Sequence, residues 1–176
     1  MKKAKEILNI LSQHGEAYIV GGAVRDYVLK RDCDDIDITT NVPMSKIEKL
    51  FDTYNVGKNK EFGIVVVNYK GNDYEIANFR KDGKYSDGRR PDEIELTFSF
   101  EEDVMRRDFT INGLALDEDN NVIDHVNGLV DIENEIIRCI GDPYRRFEED
   151  YLRMLRAVRF ASILNFAIDQ TAVRDG

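Results

Sequence analysis

Two aspartates one residue apart, Asp35 and Asp37, open the segment DIDITT. Side chains of an extended strand alternate between its two faces, so the aspartates would share one face while Ile36 and Ile38 occupy the other. The isoleucines can enter a core, and the carboxylates can bind a hard divalent cation such as Mg²⁺, which prefers oxygen ligands. On its own, this spacing is more typical of a solvated strand edge than of a metal site.

A glycine pair, Gly21 and Gly22, follows the apolar stretch AYIV and precedes a helical pattern. Glycines between a strand and a helix expose backbone N–H groups that phosphate oxygens can approach without a Cβ in the way. Arg25 could add a charge-assisted hydrogen bond to the same phosphates, and Asp26 is expected to orient Arg25 or the loop rather than to bind metal. A Gly-Gly pair alone is more often a tight turn, but together with the acidic pair it indicates a triphosphate and its metals.

Glu75 in the segment DYEIANFR is the candidate for a third carboxylate of such a site. In a strand it alternates against Tyr74 and Ile76, so it faces away from their side of the sheet. The alternative is an ordinary exposed strand glutamate.

Hydrophobic periodicity and turn residues predict the elements that must position these side chains. The expected elements of the first half are an amphipathic helix ending near Gly15, a strand AYIV, a helix after the glycines, a strand DIDITT, a helix MSKIEKLFDTY opened by Asn41 and Pro43, and a hairpin of GIVVVNYK and DYEIANFR around Gly71 and Asn72.

The second half continues with a loop over Lys81–Glu93, which contains glycines, a proline and mixed charge. The expected elements after it are a strand Ile94–Leu96, a helix from Ser99 through FEEDVMRRDFTIN, a strand pair around LALDEDNNVID and a helical segment from Pro143. Strands mixed with helices and joined partly by a hairpin favour a mixed α/β sheet over a doubly wound parallel one.

Composition sets the broad class. A chain of 176 residues accommodates one domain and a fragment of a second. Apolar runs fall short of the roughly 18 residues that cross a bilayer, and the N terminus interleaves charge with leucine, so a cytoplasmic protein without a membrane partner is expected. Cys33 and Cys139 lack disulfide or zinc spacing. The net charge of -9 argues against a broad basic surface for nucleic acid.

Four motifs, in register over nearly the whole chain, resemble the head and neck of class II tRNA nucleotidyltransferases and bacterial poly(A) polymerases. They are GGAVRD, DIDITT, RRDFTIN and EEDYLRMLRAVRF. The resemblance implies a mixed-sheet, polymerase-beta-like nucleotidyltransferase head over residues 1–140. It also implies the start of an all-α neck over residues 141–176, and catalysis with two Mg²⁺ ions and no nucleic-acid template.

The resemblance also implies roles for individual residues. Asp35 and Asp37 match the catalytic metal carboxylates, with Glu75 as a further catalytic candidate. The positions that match the triphosphate site are Gly21, Gly22 and Arg25. Those that match the motif around the nucleotide sugar and phosphates are Arg106, Arg107, Asp108 and Asn112. Asp108 is suited to accept a hydrogen bond from a ribose 2'-OH, a contact that distinguishes ribonucleotides. Without the other motifs, this stretch reads as a helix with an Arg-Asp surface pair.

The last motif places Asp150 and Arg153 three residues apart, on one face of a helix that begins near Glu149. The resemblance assigns the pair the role of an amino-acid template, because a carboxylate beside a guanidinium complements the pairing edge of cytosine or adenine. The alternative is an ordinary salt bridge within the helix. Arg156 and Arg159 complete the expected nucleotide-binding set.

The implied function is template-independent addition of C or A, from CTP and ATP, to the 3' end of tRNA or another RNA, with release of pyrophosphate. The long loop Lys81–Glu93 favours CCA addition or A addition over CC addition within the family. Two alternatives stay open: a poly(A) polymerase of the same family, and a metal- and nucleotide-binding fragment without turnover. Weak tRNA affinity is expected of residues 1–176, because much of the tRNA contact in this family belongs to regions beyond them.

Overall fold

A computed structural model of the chain describes residues 1–33, 35–54, 62–82, 94–141 and 151–169. Its elements, in chain order, are α1 (Lys2–Ser12), β1 (Ala17–Val20), α2 (Gly22–Val28), β2 (Asp37–Thr40), α3 (Met44–Leu50), β3 (Asp52–Tyr54), β4 (Ile64–Tyr69), β5 (Asn72–Asn78), β6 (Arg80–Asp82), β7 (Ile94–Leu96), α4 (Phe100–Met105), a 3-10 turn (Thr110–Asn112), β8 (Leu114–Leu116), β9 (Val122–Asp124), α5 (Gly128–Glu133), β10 (Ile136–Ile137), α6 (Tyr151–Leu164) and β11 (Ala167–Ile168).

Seven strands form one sheet in the order β3-β4-β5-β2-β1-β8-β9. Strands β2 and β5 run parallel, and the other neighbouring pairs of this sheet are antiparallel. The predicted mixed α/β sheet is therefore confirmed. Its centre is formed by β2 and β1, the strands that border the glycine pair and carry Asp37.

Alternation along β1 gives the sheet two packed faces. Ile19 lies in the larger core, where α1 buries Ile7, Leu8 and Leu11 completely. Val20 points the other way, into a smaller cluster built around Phe79, Phe100 and Val104. Because Asp37 is opposite Val20 in the β1–β2 register, its side chain belongs to this second face.

Two predicted boundaries in the first half were wrong. Helix α3 ends at Leu50, and the chain becomes extended at Phe51 and pairs as β3 with β4, so sheet pairing overrides the helical pattern up to Tyr54. The hairpin turn consists of Lys70 and Gly71, with φ of 50° and 86°, and Asn72 is already paired. A two-residue hairpin loop of this type needs positive φ at both central residues.

The predicted helix from Ser99 to Asn112 was also too long. Ser99 caps α4 by accepting a hydrogen bond from the Glu102 backbone N–H, but α4 ends at Met105. The chain then pairs with residues 138–140. Ile140 N donates to Asp108 O, and Thr110 N donates to Arg138 O, both at 2.9 Å. This pairing turns the RRDFTIN segment out of the helix.

The described part of residues 141–176 packs on the sheet domain. Ala157, Leu164 and Phe166 are buried in the larger core. Strand β11 pairs in parallel with β10, and Arg138 Nη1 lies 2.7 Å from Asp169 Oδ2. The division at residue 140 stays a prediction, and the described segments beyond it share a core with the head.

Two residues of the predicted loop Lys81–Glu93 are among those that the structure describes. Lys81 and Asp82 belong to β6, which pairs with β7, so the loop prediction was wrong there. The remaining residues of that prediction, 83–93, lie outside the described ones. Over the described ranges, the model contains no helix that is both long and apolar enough to span a membrane.

Candidate active site

A cleft of ≈ 390 Å³ opens where the end of β1, the start of β2, the RRDFTIN segment and α6 meet. The residues that line this arginine-lined cleft are Gly21, Gly22, Arg25, Asp37, Arg106, Arg107, Asp108, Asn112, Arg156 and Phe160. All of them except Phe160 are predicted site residues. Their sequence positions span more than 130 residues, so the fold brings together motifs that the sequence keeps apart.

The two glycines of the cleft have different roles. Gly21 has φ 74° and ψ -146°, a conformation that only glycine adopts without strain, although a Cβ there would meet no atom within 4 Å. Gly22 has an ordinary helical position, but a Cβ on it would lie 3.2 Å from Arg25 Nη2. Gly21 therefore permits the turn, and Gly22 leaves room for the Arg25 guanidinium.

Arg25 is held by three contacts at the edge of the cleft. Its Nε donates to Asp26 Oδ1 at 3.2 Å, which confirms that Asp26 orients it. Its Nη1 donates to Asn112 Oδ1 at 2.9 Å. Its Cζ lies 5.3 Å from the centroid of the Phe160 ring. A guanidinium fixed in this way is ordered before any anion arrives.

The predicted metal-binding carboxylates lie on β5 and at the start of β2. Asp37 is the first residue of β2, so Asp35 precedes the strand, and the prediction that both carboxylates lie on it was wrong. Glu75 is the register partner of Asp37 on β5 and is exposed, while Tyr74 and Ile76 are buried on the other face as predicted. Asp37 lines the cleft; Asp35 and Glu75 are not among its lining residues.

Electrostatics around Asp37 suit a cation. Desolvation by the surrounding protein raises the pKa of Asp37, the Asp35 carboxylate raises it further, and Arg107 acts in the opposite direction. A divalent ion beside these two carboxylates would relieve their repulsion, so the donor set fits one. Within the described residues, no group of three or more histidine, cysteine, aspartate or glutamate side chains is arranged to hold a metal ion.

The RRDFTIN segment supplies buried polar groups to the cleft floor. Asp108 and Asn112 are each 8% exposed. Asp108 Oδ1 accepts a hydrogen bond of 2.7 Å from Phe109 N, and Asp108 Oδ2 forms an ion pair with Arg156 Nη1 of α6. In the carboxylate expected to meet a ribose, Oδ1 therefore has a hydrogen-bond partner, whereas Oδ2 has an ion-pair partner but no hydrogen bond.

Sequence reasoning missed a supporting residue, Asp103, which is 1% exposed on α4. Its Oδ1 accepts from Arg107 Nε at 3.1 Å and Nη2 at 2.8 Å, and its Oδ2 accepts from Arg80 N at 2.7 Å. Burial lowers the pKa of Arg80, whereas the negative charges of Asp103 and Glu75 raise it. The spacing of Asp103 and Arg107, four residues apart, was the sequence signal for this contact.

Some predicted residues are not brought to the cleft. Arg159 is exposed on α6 and is not among the lining residues. Asp150 lies outside the described residues, as does the side chain of Arg153, so the predicted base-selecting pair stays a prediction. Phe160, the lining residue that was missed, follows Arg156 by four positions on α6, so helical spacing alone could have indicated it.

The charge of the cleft is opposite in sign to that of the chain. Its lining holds four arginines against two aspartates, a local excess of positive charge in a protein of net charge -9. Guanidinium groups bind phosphate oxygens through paired N–H donors. The cleft can therefore hold a polyanion such as a triphosphate, while Asp37 faces the same space.

Comparison with known proteins agrees with this arrangement. The family model of the poly A polymerase head domain matches residues 17–138. The chain is 49% identical over 164 residues to the CCA-adding enzyme of Bacillus pumilus (strain SAFR-032), and 46% identical over 168 residues to that of Bacillus subtilis (strain 168). These matches cover 92% and 94% of this chain, and 40% and 42% of those enzymes.

Solved structures give the same picture. The Bacillus stearothermophilus CCA-adding enzyme in complex with CTP superposes with a TM-score of 0.86 at 42% identity, over 97% of this chain and 41% of that one. A tRNA nucleotidyltransferase complexed with a primer tRNA and an incoming ATP analog gives 0.75 at 29% identity, over 97% of this chain and 47% of that one.

The mixed sheet and its cleft define a polymerase-beta-like nucleotidyltransferase head, and the chain belongs to the poly A polymerase head domain family. The curated relatives reported above are CCA-adding enzymes, and the chain spans less than half of their length.

Proposed function

We propose that the protein transfers cytidylate and adenylate from CTP and ATP to the 3' end of tRNA, releasing pyrophosphate. The observation that carries this proposal is the cleft itself, in which four arginines, the glycine turn and Asp37 surround one space. The similarity to CCA-adding enzymes at 46–49% identity supports the same reaction class.

The chain's own residues would bind and orient the nucleotide. Arg25, already fixed by Asp26 and Asn112, would take the triphosphate beside the open turn at Gly21. Arg107, held by Asp103, would neutralise phosphate charge close to Asp37. Positioning of this kind accounts for much of the catalysis of phosphoryl transfer.

The ribose would lie beside Asp108. Its 2'-hydroxyl would either displace Arg156 from the Asp108 carboxylate or share that carboxylate with Arg156. The base would be read by Asp150 and Arg153. In this arrangement, guanine and uracil leave a polar group unpaired, which costs about 1–3 kcal/mol for each buried group.

Asp35 and Asp37 are the residues that would hold divalent cations, with Glu75 beside them on β5. Two Mg²⁺ ions, when bound, supply Lewis-acid stabilisation to the attacking and leaving oxygens. Asp37 supplies negative charge to the same cleft as the arginines, so that a cation and a triphosphate would be bound together rather than separately.

The RNA partner is the 3' end of tRNA, and the place of action is the cytoplasm. The arginines of the cleft form a local positive patch on a chain of net charge -9, so this chain should bind tRNA weakly at physiological salt. The resemblance to the family supports a head over residues 1–140 and the start of a helical neck over residues 141–176.

Incorporation of labelled nucleotide tests the reaction. The chain is incubated with Mg²⁺, labelled CTP or ATP, and tRNA ending before the first C, tRNA ending in CC, or a generic RNA. Addition of C to the first and A to the second is expected. Because the family model is that of a poly A polymerase head, polyadenylation is the second candidate, and A addition to generic RNA would favour it. Nucleotide binding without incorporation would instead support the alternative of a binding fragment without turnover.

Asp37→Asn tests the cation-binding role proposed for Asp37. Incorporation should be abolished, because the carboxylate is lost. Thermal stability should stay equal or rise, because the neutral amide avoids both the desolvation and the repulsion from Asp35 that raise the pKa of Asp37. Asp52→Asn, an exposed aspartate on β3, is the matched control and should keep full activity. Wild-type incorporation by a folded Asp37→Asn variant would contradict the assignment.

A further inference from the structure

The Phe160 ring contacts two arginines from different elements. Arg25 Cζ lies 5.3 Å from its centroid and Arg156 Cζ lies 5.6 Å from it. Cations within about 6 Å of an aromatic centroid are attracted by the negative face of the ring. Phe160 is half-buried at the cleft, where partial exclusion of water strengthens this attraction.

The ring itself is fixed by the core. Phe109, which is fully buried, meets Phe160 edge-on, with centroids 5.9 Å apart and an angle of 84° between the rings. Edge-to-face contact is a favoured geometry for aromatic pairs. Phe160 is thus anchored on one side by the core while it contacts the two guanidinium groups.

Both arginines are also tied to the RRDFTIN segment. Arg25 of α2 donates to Asn112, and Arg156 of α6 pairs with Asp108. Phe160 contacts both of them and also Phe109 of the same segment. It is therefore a shared contact of α2, α6 and the cleft floor, three parts of the chain that each supply a predicted nucleotide-binding residue.

We propose that Phe160 is a positioning residue, whose ring holds the guanidinium groups of Arg25 and Arg156 in place before a triphosphate binds. This inference rests on the proposed function of the cleft. Arginine loses substantial rotamer freedom when it is immobilised, and binding is weaker when this ordering takes place on association. A ring that orders both guanidiniums in advance removes part of that cost.

The test replaces Phe160 with mono-, di- and trifluorinated phenylalanine, which weakens the negative face of the ring at nearly constant shape. Phe160→Leu is the endpoint without a ring. Binding of MgATP and of inorganic tripolyphosphate to the whole chain is measured by calorimetry. The matched control is the same series at Phe166, a buried phenylalanine just after α6, which has no cation contact among the described residues.

Affinity for both ligands should fall stepwise with fluorination, by roughly tenfold in total for the ring-free endpoint, and the Phe166 series should be flat. Unchanged binding throughout the Phe160 series, with wild type binding normally, would overturn the inference alone. Weaker ATP binding with unchanged tripolyphosphate binding would also overturn it, because the ring would then act on the base. Failure of the wild type to bind either ligand would overturn the proposed function together with this inference.

Discussion

Arg25 Nη1 donates a hydrogen bond of 2.9 Å to Asn112 Oδ1, and the two residues are 87 positions apart in the chain. The contact joins the first helix after the glycine turn to the 3-10 turn of the cleft floor. Asn112 is 8% exposed, so its amide is paired where water has little access. The orientation of the guanidinium is thus set in part by a residue from a distant part of the sequence.

Asn112→Ala should weaken nucleotide binding by about tenfold, since hydrogen bonds to charged groups contribute about 1.5–3 kcal/mol. Equilibrium titration with MgATP measures the change. Asn134→Ala, at an exposed asparagine just after α5, serves as the control and should bind ATP as the wild type does. Equal affinity of both variants would show that Asn112 does not position Arg25 for the ligand.

Gly21→Ala and Gly22→Ala form a matched pair with opposite expectations. The first should lower the free energy of unfolding by about 1–3 kcal/mol, because alanine is strained at φ 74° and ψ -146°. The second should change stability little, yet weaken ATP binding, because its Cβ would lie 3.2 Å from Arg25 Nη2. Urea unfolding and ATP titration on both variants separate the two roles, and a reversed pattern would refute them.

Asp103→Ala should destabilise the fold by roughly 2–4 kcal/mol, because it leaves the Arg80 N–H without its acceptor and releases Arg107. Arg107 would then lose its orientation in the cleft, so ATP affinity should fall as well. Chemical denaturation measures the first effect and titration the second. Glu101→Ala removes an exposed carboxylate from the same helix and should leave both nearly unchanged.

Asp117 gives the fold a pH-dependent contribution in the β8–β9 turn. Partial burial alone would raise the pKa of Asp117, but hydrogen bonds from Asn121 and from Asp119 N bring it below the ordinary 3.8. A lowered pKa contributes stability that is present above the ordinary value and lost as pH falls through the folded value.

Asp117→Asn should therefore be less stable than wild type at pH 7, and the difference should shrink toward about pH 3. Urea unfolding across this range measures it. Asp119→Asn removes the same formal charge from the same turn and is the control. A stability difference that stays constant with pH would mean that the turn does not depend on the ionised carboxylate.

Several features of the fold follow from local sequence. The spacing of Ile7, Leu8 and Leu11 defines the buried face of α1, and alternation predicts that Glu75 faces away from Ile76. Nine of the ten lining residues of the cleft were predicted, with Phe160 as the exception. The resemblance of four motifs in register to one family was enough for this, whereas each motif alone is more typical of an ordinary structural feature.

Other features depended on contacts between distant segments. Strand pairing ended the predicted helices at Leu50 and Met105, because hydrogen bonds to β4 and to residues 138–140 replaced those of a continuing helix. The pairing of Asp108 with Arg156 is likewise formed across 48 residues, a separation at which local periodicity carries no information.

The sequence by itself determined most of the residues that line the cleft, because four motifs in register resemble one family, although each spacing alone is more typical of an ordinary structural feature. Only the tertiary structure decided how they are held. Phe160 and Asp103 position arginines through contacts whose existence depends on where α6 and α4 pack against the cleft. The chemical type of a side chain depends only on its own position in the sequence, whereas the orientation of a guanidinium depends on the residues that the fold places beside it.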